Sequence, residues 1–171
     1  MKILLLVAGC VLVLLILGLV VTGLLLPKGH IASRSATYRA TPEHLFFLIA
    51  GPQNWRPEVL RYEAVPDADG RELVRETTHD GKTVTYEVLD RIPPTSIKRR
   101  IASKDLPYSG TWTYSLQPQG DLTIVRITEK GEVYNPVFRF VSRVVLGHTR
   151  TIDAYLRALG TSTGQEVEIK D

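Results

Sequence analysis

Cysteine occurs once, at Cys10, so no intrachain disulfide is possible and the chain keeps no record of its redox compartment. The four histidines fall into no HExxH or other ligand spacing, so no zinc or iron centre is expected, nor is any other cofactor. A G-x-S-x-G segment is missing, which removes the usual nucleophilic serine. Gly29, Gly51, Gly70, Gly81, Gly110, Gly120, Gly131, Gly147 and Gly160 are scattered over turns and caps and build no phosphate-cradling loop. Charge of one sign is also scarce. The net charge is +3, and setting Lys2 aside leaves 20 basic against 18 acidic residues. Beyond Lys98-Arg99-Arg100 there is no basic run, so nucleic acid is not expected as a partner. Internal repeats and low-complexity segments are lacking as well.

What the chain does have is a long apolar start. Ile3 to Leu26 is 24 residues without a charge. As a helix it would be roughly 36 Å long, enough for a hydrocarbon core of about 30 Å. A cleaved signal peptide would have a shorter run and a small-x-small site, and Val20-Val21-Thr22-Gly23-Leu24 is a poor one. Leu6-Val7-Ala8-Gly9-Cys10 has the look of a lipobox, but few residues precede the cysteine and the apolar run continues past it. A single transmembrane anchor is the favoured reading, with lipidation of Cys10 left open. Lys2 before the span and Lys28, Arg34 and Arg39 after it do not fix its orientation. The expected location is a single-pass protein of a bacterial inner membrane, the side of the soluble part being open.

About 145 residues remain, the size of one ordinary domain. Pro27-Lys28-Gly29 breaks the first helix. His30 to Ala40 reads as a strand. Thr41-Pro42-Glu43-His44 is a helix start, with Thr41 as cap and Pro42 at the first helical position. Asn54-Trp55-Arg56-Pro57 is a short second turn. Strands follow over Val59 to Val65, Arg71 to Thr78, Thr83 to Arg91, Ser96 to Ser103, Gly110 to Leu116 and Leu122 to Glu129. Asp67-Ala68-Asp69-Gly70, Asp80-Gly81 and Gly120-Asp121 supply turns, and Pro93-Pro94 ends a strand. Alternation assigns faces: Val84, Tyr86 and Val88 oppose Thr83, Thr85 and Glu87. Ile97, Arg99 and Ile101 oppose Lys98 and Arg100, and Trp112, Tyr114 and Leu116 oppose Thr111, Thr113 and Ser115.

After Asn135-Pro136 the period changes to 3.6. Val137, Val141, Val144, Val145, His148, Ile152, Tyr155, Leu156 and Leu159 predict one face of a long amphipathic helix with Gly160 as its cap. Thr161 to Asp171 reads as a loose polar tail. The fold class is therefore α+β. A curved antiparallel sheet of about six to seven strands wraps on a long C-terminal helix, behind one transmembrane helix. The division is 1–28 anchor, 29–160 domain and 161–171 tail.

Three segments carry a resemblance. They are Ala40-Thr41-Pro42-Glu43 with Asn54-Trp55, then Gly110-Thr111-Trp112-Thr113-Tyr114 followed by Thr123 to Gly131, and Glu132-Val133-Tyr134-Asn135-Pro136 leading into Gly147-His148-Thr149 and Tyr155-Leu156-Arg157-Ala158-Leu159. In this order they resemble the START-like helix-grip superfamily, and within it the polyketide cyclase/dehydrase and lipid-transport (SRPBCC) proteins, over about residues 30 to 160. The resemblance implies a deep apolar cavity for a hydrophobic small molecule or lipid. It implies no single reaction, since the superfamily hosts binders, carriers and enzymes.

The cavity-lining candidates are Tyr86, Trp112 and Tyr114 on the sheet and Val141, Val144, His148 and Ile152 on the terminal helix. His148 stands out because it interrupts an apolar stripe. His30, His44 and His79 are expected in solvent, and Asp153 lies about 140° from the His148 face at 100° per residue. Glu87 is expected outward and Tyr86 inward. A binding cup is favoured, with membrane and hydrophobic ligand as partners. Against it stand a cyclase- or dehydrase-like enzyme using His148, Tyr86 or Tyr114, and a tethered protein-interaction domain with a filled interior, whose protein partner is left unspecified. No catalytic residue is assigned.

Overall fold

The computed structural model describes residues 2–67 and 69–171, without the side chains of Leu4, Leu5, Leu6, Val145 and Leu146. The sequence reading of the Asp67–Gly70 turn and of Val145 on the helix face therefore lies partly outside the described residues. The first helix, α1, runs Lys2–Leu25. Its Val7–Leu25 stretch, with mean hydropathy 2.8, has the length and composition that a membrane crossing or a signal sequence would have. Strand β1 (Gly29–Tyr38) follows, then α2 (Pro42–Ala50). The Thr41 side chain accepts the His44 backbone N–H at 3.3 Å and Pro42 opens the helix, as their order predicts. Leu45, Phe46 and Ile49 form its buried face.

Strands β2 (Val59–Val65), β3 (Leu73–Thr78), β4 (Thr83–Ile92), β5 (Ser96–Ile101), β6 (Tyr108–Gln119) and β7 (Leu122–Val133) make an antiparallel meander. The sheet closes its order with β1 and a short β8 (Ile169–Lys170), giving β2-β3-β4-β5-β6-β7-β1-β8. Bulges at Val59/Arg61 and Val88/Asp90 bend β2 and β4. The concave face packs on α4 (Arg150–Ser162), and the core runs through Tyr38, Leu45, Ile49, Ile97, Leu116, Val125, Ile127, Ile152, Tyr155, Leu156 and Leu159. Buried Tyr38 ties β1 to this helix by donating its hydroxyl to the Leu156 carbonyl at 2.8 Å.

The terminal helix differs from the sequence expectation. It is not continuous. A short α3 (Pro136–Phe140) passes into a π-helical segment (Val141–Leu146), and the chain breaks at Gly147 before α4 begins. Gly147 sits at φ +72°, which only glycine adopts without strain. The cap also moves: α4 runs on through Gly160 and ends near Thr163 and Gly164, the latter at φ +71°. The tail is not loose. Gln165 accepts the Arg39 backbone N–H at 2.7 Å, and a side chain at Gly160 would stand 3.2 Å from Val167, so the missing Cβ admits that valine. β8 then pairs with Ser35 and Ala36 of β1.

Helix α1 is joined to the body at its C-terminal end. A Cβ on Gly23 would collide with the Pro136 backbone, so this glycine lets α1 and α3 approach closely. Arg139, 4% exposed, fills the joint with its guanidinium.

Candidate functional site

Between the sheet and the terminal helical segments lies a chamber of about 480 Å³. Tyr86 of β4, Ile101 of β5, Tyr108 and Trp112 of β6 and Val133 of β7 form its sheet wall, and Phe138, Ser142, Gly147 and His148 face them. A smaller recess of about 50 Å³ lies deeper, lined by Arg56, Glu76, Arg99, Tyr114 and Tyr155. Tyr86, Trp112 and Thr151 line both spaces, which makes the two neighbours across those side chains.

Of the candidates named from sequence, Tyr86, Trp112 and His148 line the chamber and Tyr114 lines the recess. Val141, Val144 and Ile152 line neither. Val144 is 61% exposed and Ile152 is fully buried beneath α4. The break at Gly147 explains this, because a face assigned at 100° per residue holds only along an unbroken helix. Glu87 points away from the chamber toward Arg100, at 2.6 Å. Asp153 pairs with Arg34 at 3.4 Å and leaves His148 alone.

His30 is a correction. It is not in solvent: its side chain is 12% exposed and its ring stacks on His148 at 3.7 Å between centroids, 14° from parallel. β1 starts earlier than expected, at Gly29, and in its register His30 faces Gly131 on β7. A Cβ at Gly131 would stand 2.7 Å from His30 Nε2, so the absent side chain makes the ring's berth. The signal was a glycine inside an otherwise alternating strand. Nε2 of His30 also lies 3.6 Å from a Glu129 carboxylate oxygen, while Nδ1 is buried without a partner.

Burial, then His148, then Arg143 hold the His30 pKa below its ordinary value. Burial and Arg143 do the same to His148. Burial pushes the Glu129 carboxyl up, against a smaller opposing pull from the Trp112 indole N–H. These directions disfavour an ion pair: the histidines are neutral near pH 7. A histidine depressed by folding takes up its proton more readily when unfolded. Its contribution is therefore complete above pH 6.5 and is lost as pH falls toward the lowered value. Glu129 acts oppositely, costing stability as pH rises from 4.5 through its raised value. Thermal melting of wild type and His148→Gln between about pH 8 and pH 5 tests the assignment. The stability gap between them should be constant above pH 6.5 and shift in the variant's favour below it. A gap independent of pH would remove His148 from the titration.

The recess is polar and closely tied. Arg56 donates to Glu76 at 2.9 Å and to Gln53 at 3.0 Å, and meets Glu58 at 2.6 Å. Gln53, fully buried, donates to the Tyr155 hydroxyl at 3.0 Å and the Ile49 carbonyl at 2.8 Å. Arg99, 3% exposed, donates to the same carbonyl at 2.6 Å. Arg56 lies 5.1 Å over the Tyr155 ring and Arg99 5.8 Å over that of Tyr114. Burial raises the pKa of Tyr86 and Tyr155, and lifts Tyr114 to about 12, so all three hydroxyls stay neutral donors. Among the described residues no three His, Cys, Asp or Glu side chains converge as a metal site would require.

A bent antiparallel sheet gripping a C-terminal helix around such a cavity defines a START-like helix-grip protein. The chain belongs to the polyketide cyclase/dehydrase and lipid transport family, whose profile matches residues 30–161. A START superfamily protein from Mycobacterium smegmatis has the same fold, with a TM-score of 0.63 at 17% identity over 79% of this chain and 97% of that one. Norcoclaurine synthase from Thalictrum flavum, solved with dopamine and hydroxybenzaldehyde, gives 0.59 at 14% identity over 79% and 86%. The di-domain ARO/CYC StfQ of the steffimycin biosynthetic pathway gives 0.60 at 13% identity over 77% of this chain and 50% of its own. At these identities the likeness establishes the fold alone. No curated protein sequence matches significantly.

Proposed function

We propose that the chain is a membrane-tethered binding domain for a hydrophobic small molecule or lipid, with residues 1–28 as the tether and 29–160 as the cup. The observation that carries this reading is the roughly 480 Å³ chamber walled by Tyr86, Ile101, Tyr108, Trp112, Val133 and Phe138. Concave, mostly aromatic and aliphatic spaces of this size suit small apolar ligands with a few orienting polar groups. Family membership supports it. So does the joint between α1 and α3, since α3 also contributes Phe138 to the chamber. A membrane-embedded α1 would thus set the cup beside the bilayer, where apolar ligands partition.

Native mass spectrometry of the full chain ejected from nanodiscs, wild type against Ser142→Trp, tests the reading. Ser142 lines the chamber, and an indole there would obstruct part of it. A one-to-one adduct on the wild type that the variant lacks is expected. Identical spectra would sink the proposal.

One observation favours a second, enzymatic reading of the cyclase or dehydrase kind. His148, His30 and Glu129 meet at the chamber wall, a set able to relay a proton. On that reading the wild type converts the extracted compound and His148→Gln returns it unchanged. On the binding reading both return it unchanged.

A further inference from the structure

We infer that the inner recess is an anion subsite, and that the ligand is an apolar carboxylic acid whose carboxylate sits on Arg99 while its body fills the outer chamber. This rests on the ligand-binding reading above and names its ligand class.

The argument is one of charge. Arg99 stands on β5 between Ile97 and Ile101, on the strand face that turns inward, and is 3% exposed. Its guanidinium cannot shed a proton. Its Nε is buried without a hydrogen-bond partner, and among the described residues no carboxylate lies within 4.0 Å of it. Arg56 is different. Glu76 at 2.9 Å, itself 5% exposed, and Glu58 at 2.6 Å already answer its charge. Arg99 is therefore a buried cation that no carboxylate touches, Glu76 acting on it only from beyond contact range, an arrangement that proteins ordinarily avoid unless something completes it.

A purely structural duty does not account for Arg99. Its one hydrogen bond goes to the Ile49 carbonyl, which Gln53 already serves at 2.8 Å. The surroundings instead suit a small anion. Tyr86, Tyr114 and Tyr155 line the same space as neutral hydroxyl donors. The recess of about 50 Å³ exceeds the ~10–15 Å³ that one water needs, which leaves room for the two oxygens of a carboxylate. Because Tyr86, Trp112 and Thr151 border both spaces, an acid seated on Arg99 would direct its apolar part past these side chains toward the chamber. One guanidinium without a carboxylate in contact suits a monoanion, and a planar fork of donors matches a carboxylate.

The test uses the full chain in nanodiscs of zwitterionic phosphatidylcholine, with empty nanodiscs as the calorimetric blank. Naphthalene-2-carboxylate, its neutral carboxamide and 2-naphthyl phosphate are titrated in turn. The carboxylate should bind the wild type at least about tenfold more tightly than the carboxamide. In Arg99→Met that preference should vanish while carboxamide affinity stays within about twofold. Equal binding of acid and amide by the wild type overturns the inference whatever the variant does, as does a preference that survives in Arg99→Met. Tighter binding of the phosphate overturns the carboxylate assignment. Binding by none of the three, with no adduct separating wild type from Ser142→Trp, rejects the cavity reading itself. An adduct without acid preference rejects only this inference.

Discussion

Replacing Arg139 with alanine should destabilise the full chain by on the order of 3–5 kcal/mol, among the largest effects open to a single substitution here. The reason begins in the sequence. A helical carbonyl is normally answered by the N–H four residues on, and for Gly23 that residue is Pro27, which has none. The Leu26 carbonyl lies past the helix end and has no helical donor either. Arg139 Nη1 serves both at 3.0 Å, while Nε donates to Val133 and Nη2 to Tyr134, each also at 3.0 Å. One buried guanidinium thus closes four carbonyls and places positive charge at the negative end of the α1 dipole. Alanine would strand them together and leave a void at the α1–α3 joint. Lysine offers a single nitrogen and should recover only part of the loss. Chemical denaturation in nanodiscs gives the magnitude, and hydrogen exchange over residues 136–146 should rise in the variant. A loss under about 1 kcal/mol would mean that water replaces the clamp at little cost.

That clamp also marks where sequence reading stops. The helix starts at Thr41-Pro42 and Asn135-Pro136 were legible because capping is local chemistry. The strands were legible because alternation has a fixed period. The inward turn of Tyr86, Trp112 and Tyr114 followed from the same alternation. Strand register is not local, and it alone puts His30 opposite Gly131 and against His148. The terminal helix failed for another reason. Apolar residues at helical spacing run on both sides of Gly147, valines before it and Ile152, Tyr155, Leu156 and Leu159 after it, and nothing in the spacing says that the backbone there takes φ +72°. Val144 and Ile152 lost their place in the cavity wall with that break. Arg99 was visible and undervalued. It stood in the alternation between two isoleucines, and a charge on an inward face should itself have pointed to a site.

The same residue should behave as a trade between stability and function. Arg99→Met is expected to make the unliganded chain more stable by about 1–3 kcal/mol, since an apolar side chain of similar volume relieves a buried charge that no carboxylate touches. Two contacts oppose this. The Ile49 carbonyl loses a donor but keeps Gln53, and the Tyr114 ring loses the cation 5.8 Å away. Such contacts are worth about 0.5–2 kcal/mol, less than the desolvation of a full charge. Denaturation of both proteins without ligand measures the difference. If the variant proves less stable by about 1 kcal/mol or more, Arg99 is a structural tie and the buried charge is tolerated for that reason. If it is more stable, adding naphthalene-2-carboxylate should narrow the gap by stabilising the wild type more than the variant. At a hundred times the wild-type Kd the acid contributes about 2.7 kcal/mol to the wild type and about 1.4 kcal/mol to a variant that binds it tenfold more weakly. A gap that narrows in that way would show that the charge is held in place for an anion supplied from outside the chain.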